Sequence, residues 1–187
     1  MHGVHVADLT TVANLRSWLN ITGTADDALL TRLVTAASVY VQTYISRQLL
    51  TAAYTETLDG NGGDRQILRQ YPLTAVSAVT ISGQVIPVST AWNISGFQFD
   101  DIGVTLLGYT FSRARRNVTI TYTAGYTAPP LDVEQAVLDM CSLRYRERDR
   151  IGYVSKSLAG ETVTFMVKDM SDSVRTILNN YRRVFPE

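Results

Sequence analysis

A single cysteine, Cys141, is all that this chain of 187 residues contains. That scarcity excludes an intramolecular disulfide, removes the paired thiols a structural zinc site usually needs, and makes a reducing compartment the expectation. Histidine is nearly as rare: His2 and His5 sit at the N-terminus with no carboxylate or thiol beside them, so no metal site is expected from them. Net charge is absent, with 17 basic and 17 acidic side chains. The long-range field that draws a free protein onto a polyanion is therefore missing, and any nucleic-acid contact must be local. No stretch approaches the about 18 apolar residues of a membrane span, and "MHGVHVADL" lacks a basic segment followed by an apolar one; a soluble, unexported chain with no membrane contact is expected. Only 5 prolines among 45% hydrophobic residues argue against disorder, and no solenoid repeat is present.

What is present has two grammars. "LTTVANLRSWLNI" places Val12, Leu15, Trp18 and Leu19 at helical spacing behind Thr10 or Thr11 as a cap. "TADDALLTRLVTAASVYVQTYISRQLL" carries the longest stripe, from Leu29 and Leu30 through Leu33, Val34, Ala37, Tyr40, Val41 and Tyr44 to Ile45. Thr24 with Asp27 reads there as a capping box, which explains Asp26 and Asp27 better than a catalytic acid pair does. Residues 53–125 switch to β-branched and aromatic runs broken at "DGNGGD", "SGQ" and "ISG", the pattern of six or so short antiparallel strands. Helical spacing returns over 130–151, where Pro129 and Pro130 mark the entrance and Gly152 follows the end. Residues 152–170 are expected to form a loop or arm, and 171–187 a last amphipathic helix. The expected plan is one α+β domain, 1–187: helices over 8–50 and at the C-terminal end form a small helical core, with an antiparallel β-rich subdomain inserted.

"RYRERDRIG" sets four arginines against two acids between Arg144 and Arg150, a net +2. On a helix Arg144 and Arg148 share one face and Arg146 and Arg150 nearly the opposite one, so there is no single basic stripe. Arg144, Glu147 and Arg148 fall within a wide apolar arc running from Val133 to Tyr145. Charges on such a face need partners, which points to carboxylates of the same chain or of a neighbouring subunit. "RARR" is the other basic cluster: Arg113, Arg115 and Arg116 read as a hairpin-like tip with no intervening acid, either a local basic patch or a solvated turn. Catalytic constellations do not emerge. Cys141 reads as a buried small hydrophobe. "DGNGGD" begins like a calcium loop but has Asp64 where such a loop requires glycine and Gln70 where it requires a bidentate Glu, so it reads as a hairpin turn. A nucleic-acid-binding accessory protein remains the alternative class, to be tested by the salt dependence of duplex affinity, and a hydrolase would need a polar pocket with perturbed carboxylates.

The order "LRSWLNI", "DDALLTRLVTAASVYVQTYISRQLL", "LRQYPLTAVSAVTISG", "VTITYTAGY", "PPLDVEQAVLDMCSLRYRERD" and a final "L-x-x-YRR" resembles the head-tail connector, or adaptor, proteins of tailed bacteriophages over nearly the whole chain. The β insertion resembles that of a longer subgroup. The resemblance implies a non-enzymatic virion protein of the neck, present in the host cytoplasm during assembly. It implies a ring below the portal with the portal's twelvefold symmetry, which meets a downstream stopper or tail-terminator protein and passes DNA through its channel without specific recognition. No cofactor is implied. Under it, Arg144, Glu147 and Arg148 are expected at the subunit interface. Val174, Ile177, Leu178, Tyr181, Arg182 and Arg183 are expected on the portal, with removal of 171–187 leaving the fold largely intact, and Arg113, Arg115 and Arg116 at the DNA channel or the next ring.

Overall fold

The computed structural model of the protein describes residues 7–148, 155–158, 161–164 and 170–183. The chain forms two compact units, one carried by Met1–Ser46 and Pro129–Glu187 and the other by Arg47–Ala128.

The first unit is helical. Helix α1, Val12–Leu19, starts where Thr11 accepts the Asn14 N–H on its hydroxyl at 3.1 Å and ends at Asn20 in the left-handed conformation. Helix α2, Asp27–Ile45, does not use the expected capping box: Asp26 is the N-cap residue and makes no side-chain cap bond. Both acids are instead spent on tertiary contacts. The Asp26 carboxylate accepts the Tyr145 hydroxyl, and Asp27 pairs with Arg16 at 3.3 Å, so the start of α2 is tied to its neighbours on two sides. Helix α3, Leu131–Glu147, begins behind Pro130, whose missing N–H costs nothing at a helix start. The expected extension to residue 151 includes Arg150, which lies outside the described residues. Helix α4, Asp172–Asn180, is capped by Ser171, whose hydroxyl accepts the Val174 N–H at 3.3 Å.

Spacing of three and four residues puts Leu30, Val34, Ala37, Val41 and Ile45 on one face of α2, and all five are buried. They meet Val133, Ala136, Val137, Met140 and Cys141 of α3 and Val174 and Leu178 of α4 in one core, closed over by Leu9 and Leu15. The apolar stripe on α2 is wider than the core needs: Leu29 and Tyr40 stay more than a third exposed.

The second unit holds seven antiparallel strands: β1 Ala52–Gly60, β2 Arg65–Ile67, β3 Leu73–Ile81, β4 Gln84–Ile86, β5 Gly96–Phe99, β6 Gly103–Leu107 and β7 Ala114–Ala124. Sheet one has the order β1-β7-β3-β4 and sheet two β2-β6-β5. Alternation of the side chains along β7 sends Val118, Ile120, Tyr122 and Ala124 inward, where they meet Phe97, Val104 and Leu106 of sheet two and Phe111. The β3–β4 hairpin turns on Ser82 and Gly83, both at positive φ, which only a Gly-like conformation allows without strain. "DGNGGD" is not a hairpin turn, because β1 and β2 belong to different sheets; it is a crossover. Asn61 shapes it, accepting the Gly63 N–H at 2.9 Å and donating to the Arg65 carbonyl at 2.8 Å. Gly60 permits the crossing, since a Cβ there would stand 1.9 Å from the Ser112 carbonyl oxygen.

Within the expected loop at 152–170 the backbone forms strands β8, Ser155–Leu158, and β9, Glu161–Thr164, paired antiparallel from Ser155↔Thr164 to Leu158↔Glu161. That hairpin adds strand to a segment whose sequence carries no helical stripe.

Candidate functional site

Two helices of the first unit leave a groove between them. Arg144, Glu147 and Arg148 of α3 form one side and Leu29, Arg32, Leu33 and Ala36 of α2 the other, enclosing about 580 Å³. Three guanidinium groups and one carboxylate over an aliphatic floor give it a net positive charge. The cationic wall is fixed in place: Arg148 lies 4.1 Å above the Tyr145 ring and donates to the Tyr145 carbonyl at 3.0 Å, while Tyr145 is anchored on Asp26. The hydrogen bond to Asp26 is the main reason that the Tyr145 hydroxyl is held above its ordinary range, ahead of burial. The three residues singled out from the sequence thus share one surface. Arg32 and Leu29 complete it; Leu29 belongs to the wide apolar stripe of α2 and stays 36% exposed.

Helix α4 is part of the helical core. Val174 and Leu178 are 2% and 0% exposed, against α3 and α2. Tyr181 donates to both oxygens of Asp132, at 2.8 and 2.9 Å, Tyr44 donates to Asn179 at 2.8 Å, and the Arg183 N–H donates to the Ile45 carbonyl at 2.9 Å. The expectation that 171–187 can be removed without harm to the fold is corrected on this ground: an apolar stripe tells that a helix docks, not on what. Ile177 is half-buried, and Arg182, 5.9 Å from the Tyr44 ring, is exposed.

Arg113, Arg115 and Arg116 do not sit on a hairpin tip. Arg115 and Arg116 lie in the first residues of β7, and the ladder to β1 is irregular there, shifting register between Leu58 and Gly60. Arg116 has φ 50°, and its N–H donates to Asp59 at 2.6 Å. All three side chains are exposed, and an acid from the paired strand binds the Arg116 backbone, which a count along the sequence misses.

Cys141 is buried, its thiol donating to the Leu33 carbonyl at 3.5 Å; burial, the largest cause, pushes the thiol up to about 12, against a smaller lowering by Arg144. A thiol so held is neither nucleophile nor ligand at neutral pH. In the native chain at pH 8 it should resist alkylation, and react at the rate of a free thiol only after denaturation; prompt native labelling would show the core of the helical unit to be open. In the second unit, Tyr122 donates to Glu56 at 2.5 Å and accepts the Gln70 N–H at 3.3 Å, an internal polar bridge rather than an exposed acid–base pair. Among the described residues no group of three or more His, Cys, Asp and Glu is placed to hold a metal ion, and no helix is long and apolar enough to cross a membrane.

Solved structures share this fold. One described as "Neck of empty GTA particle computed with C6 symmetry" is 24% identical, with a TM-score of 0.61 over 96% of this chain and 92% of that one. A chain of the virion of a native gene transfer agent (GTA) particle is 22% identical, with a TM-score of 0.60 over 96% and 92%. One from the neck of a native GTA particle, computed with C12 symmetry, is 22% identical, with a TM-score of 0.57 over 97% and 96%. No protein of curated function matches the sequence. The family model described as "Head completion protein" matches residues 8–184, both units included. The chain belongs to the head completion protein family.

Proposed function

We propose that the chain is a structural protein of the neck of a phage-like particle that connects the DNA-filled head to the tail, forming a ring of about twelve copies beneath the portal. The observation that carries this reading is the family match across residues 8–184. The C12 neck of a gene transfer agent particle, which shares the fold, supports the ring and its subunit number. The role is non-enzymatic, and the partners are the portal above, a stopper or tail-terminator protein below, and passing DNA.

Ring closure needs two different adhesive faces on each copy. The α2–α3 groove, with Arg144, Glu147, Arg148 and Arg32, is one of them; its positive charge suits an acid-bearing face of the adjacent copy. Portal contact falls to what α4 leaves outside: Ile177, Arg182 and the neighbourhood of Tyr181 and Arg183, with Val174 and Leu178 acting from beneath by holding the helix in place. Mixing the purified chain with portal rings and following sedimentation tests both. Wild type should co-sediment as one ring per portal, and Arg144→Glu with Arg148→Glu should abolish that while the far-ultraviolet spectrum stays native. A chain that never joins the portal would overturn the reading.

Arg113, Arg115 and Arg116 contribute a diffuse positive field toward DNA or the next ring, screened within about 10 Å at physiological salt. Replacing all three by glutamine should change stability little, since exposed charges contribute little to folding. DNA retained in filled heads and infectious titre should fall; unchanged retention and titre would make the cluster an ordinary solvated strand end.

A further inference from the structure

A sheet edge with free backbone groups invites pairing with another chain, and folded proteins blunt such edges by shortness, cover, proline or charge. Most edges of the second unit are blunted in this way. Strands β2 and β4 have 3 residues each, and β5 is covered by Val88: the Ser89 N–H donates to the Phe97 carbonyl at 2.9 Å and the Phe97 N–H to the Pro87 carbonyl at 2.8 Å. Strand β1 is the exception. It ends sheet one, has 9 residues, and runs in regular register from Ala52 to Leu58 with no proline and one charge, Glu56, whose carboxylate is engaged by the Tyr122 hydroxyl.

The register shows which groups stand free. The Gly125 N–H donates to the Pro72 carbonyl at 2.9 Å, and the Thr123 and Thr121 carbonyls accept the Thr74 and Ser77 hydroxyls at 3.2 and 3.0 Å, so the odd-numbered residues here turn their backbone groups toward β3. The even-numbered ones face β1. Bonded pairs are therefore Ala52 with Ala124, Tyr54 with Tyr122, Glu56 with Ile120 and Leu58 with Val118. Ala53, Thr55 and Thr57 point their N–H and C=O groups outward, and among the described residues none pairs with that edge. The hairpin of β8 and β9 has the converse shortage. Its two strands of 4 residues pair only with each other, and a sheet of two strands is marginal in water until a further strand or surface supports it.

We infer that the β8–β9 hairpin of one copy adds to the β1 edge of the next copy around the ring, extending sheet one across the subunit boundary by main-chain hydrogen bonds. Two unlike surfaces on one chain, an edge and a hairpin, are what a head-to-tail contact closing by rotation requires, whereas a twofold dimer uses one surface twice. Within one chain the two belong to separate sheets and do not pair. The numbers also match: each copy offers one such edge and one hairpin, so a closed ring leaves neither over. A strand of 4 residues spans the outward groups of Ala53, Thr55 and Thr57, and residues 155–164 contain no proline to interrupt it. The inference rests on the ring reading of the previous subsection.

Amide exchange read residue by residue, in the free chain and in the chain assembled on purified portal rings, tests the contact. The Ala53, Thr55 and Thr57 amides should exchange fast in the free chain and slow at least about 10-fold on assembly, while the Tyr54 and Glu56 amides, bonded to β7, are slow in both. Thr55→Pro removes one outward N–H and no bond of the free chain, so its circular dichroism should stay native while the concentration needed for ring closure rises about 10-fold. Replacing residues 155–164 by a Gly-Ser segment of equal length should do the same and leave the three amides fast at saturating portal; Val163→Pro gives the same reading with a smaller change. A complete ring in which the three amides still exchange fast overturns the contact and leaves the ring standing. Protection already present in the free chain, or kept in rings that lack the hairpin, overturns it in favour of another strand. Failure of the unsubstituted chain to form any ring overturns the ring reading, and this contact with it.

Discussion

Truncation before Ser171 is expected to unfold the helical unit, not to strip a docking arm from it. The segment contributes two fully packed aliphatics, Val174 and Leu178, to the core shared with α2 and α3. Losing a buried leucine alone costs about 2–5 kcal/mol, because the cavity left behind collapses only in part. The truncation also leaves Asp132 without Tyr181 and opens the Ile45 carbonyl. Set against a total stability of about 5–15 kcal/mol for a native protein, these losses together decide whether the unit folds. The single change Leu178→Ala separates folding from docking: urea denaturation followed by helix signal should show a drop of about 2–5 kcal/mol. Arg182→Ala, on an exposed side chain, should leave that curve unchanged and weaken only attachment to the portal. A truncated chain with native helix content and an unshifted denaturation midpoint would show that α4 is an appendage.

The second large effect falls on Tyr122. It is 1% exposed near the C-terminal end of β7, its ring centroid 5.5 Å from that of Tyr54 at a tilt of 32°, and its hydroxyl bridges Glu56 and the Gln70 N–H. Tyr122→Ala should cost the β-rich unit about 3–5 kcal/mol through the cavity alone. It also strands the Glu56 carboxylate, whose side chain is 12% exposed and whose other oxygen is 3.9 Å from Arg69. Tyr122→Phe keeps the packing and removes the bridge, for about 1–3 kcal/mol. The pH dependence distinguishes the two roles. Burial first, then the hydrogen bond to Glu56, raise the Tyr122 hydroxyl far above its ordinary 10.0. The unfolded chain therefore loses this proton before the folded one does. The contribution is whole below pH 10 and drains away as pH rises above it, so wild type should lose stability faster in that window than Tyr122→Phe. Equal slopes in the two proteins, read by amide exchange along β3 and β7, would place the hydroxyl in solvent.

Periodicity made the four helices and the strand-rich middle legible, because burial of one face imposes 3.6-residue or 2-residue spacing whatever the partner is. Destinations were less legible. The stripe through Val174, Ile177 and Leu178 is the same whether α4 packs on its own chain or on another, and only the fold shows Val174 and Leu178 inside. Asp26 and Asp27 looked like capping residues because acids suit a helix start; their tertiary roles with Tyr145 and Arg16 involve residues far along the chain or in another element. The same holds for Arg116, whose backbone N–H is bound by Asp59 from the neighbouring strand. Of the groove, Arg144, Glu147 and Arg148 were readable as charges inside an apolar arc, while Leu29 was not, since nothing in a stripe marks which of its members stays exposed, and Arg32 lies outside the stripe.

The most direct test of the connector role is a reconstruction of the neck of the particle that encodes this chain, at a resolution that distinguishes its helical unit from its β-rich one. The account predicts one closed ring of this chain directly beneath the portal, with the groove lined by Arg32, Arg144 and Arg148 covered by the adjacent copy. A neck without this chain, or copies of it there with that groove open to solvent, would contradict it.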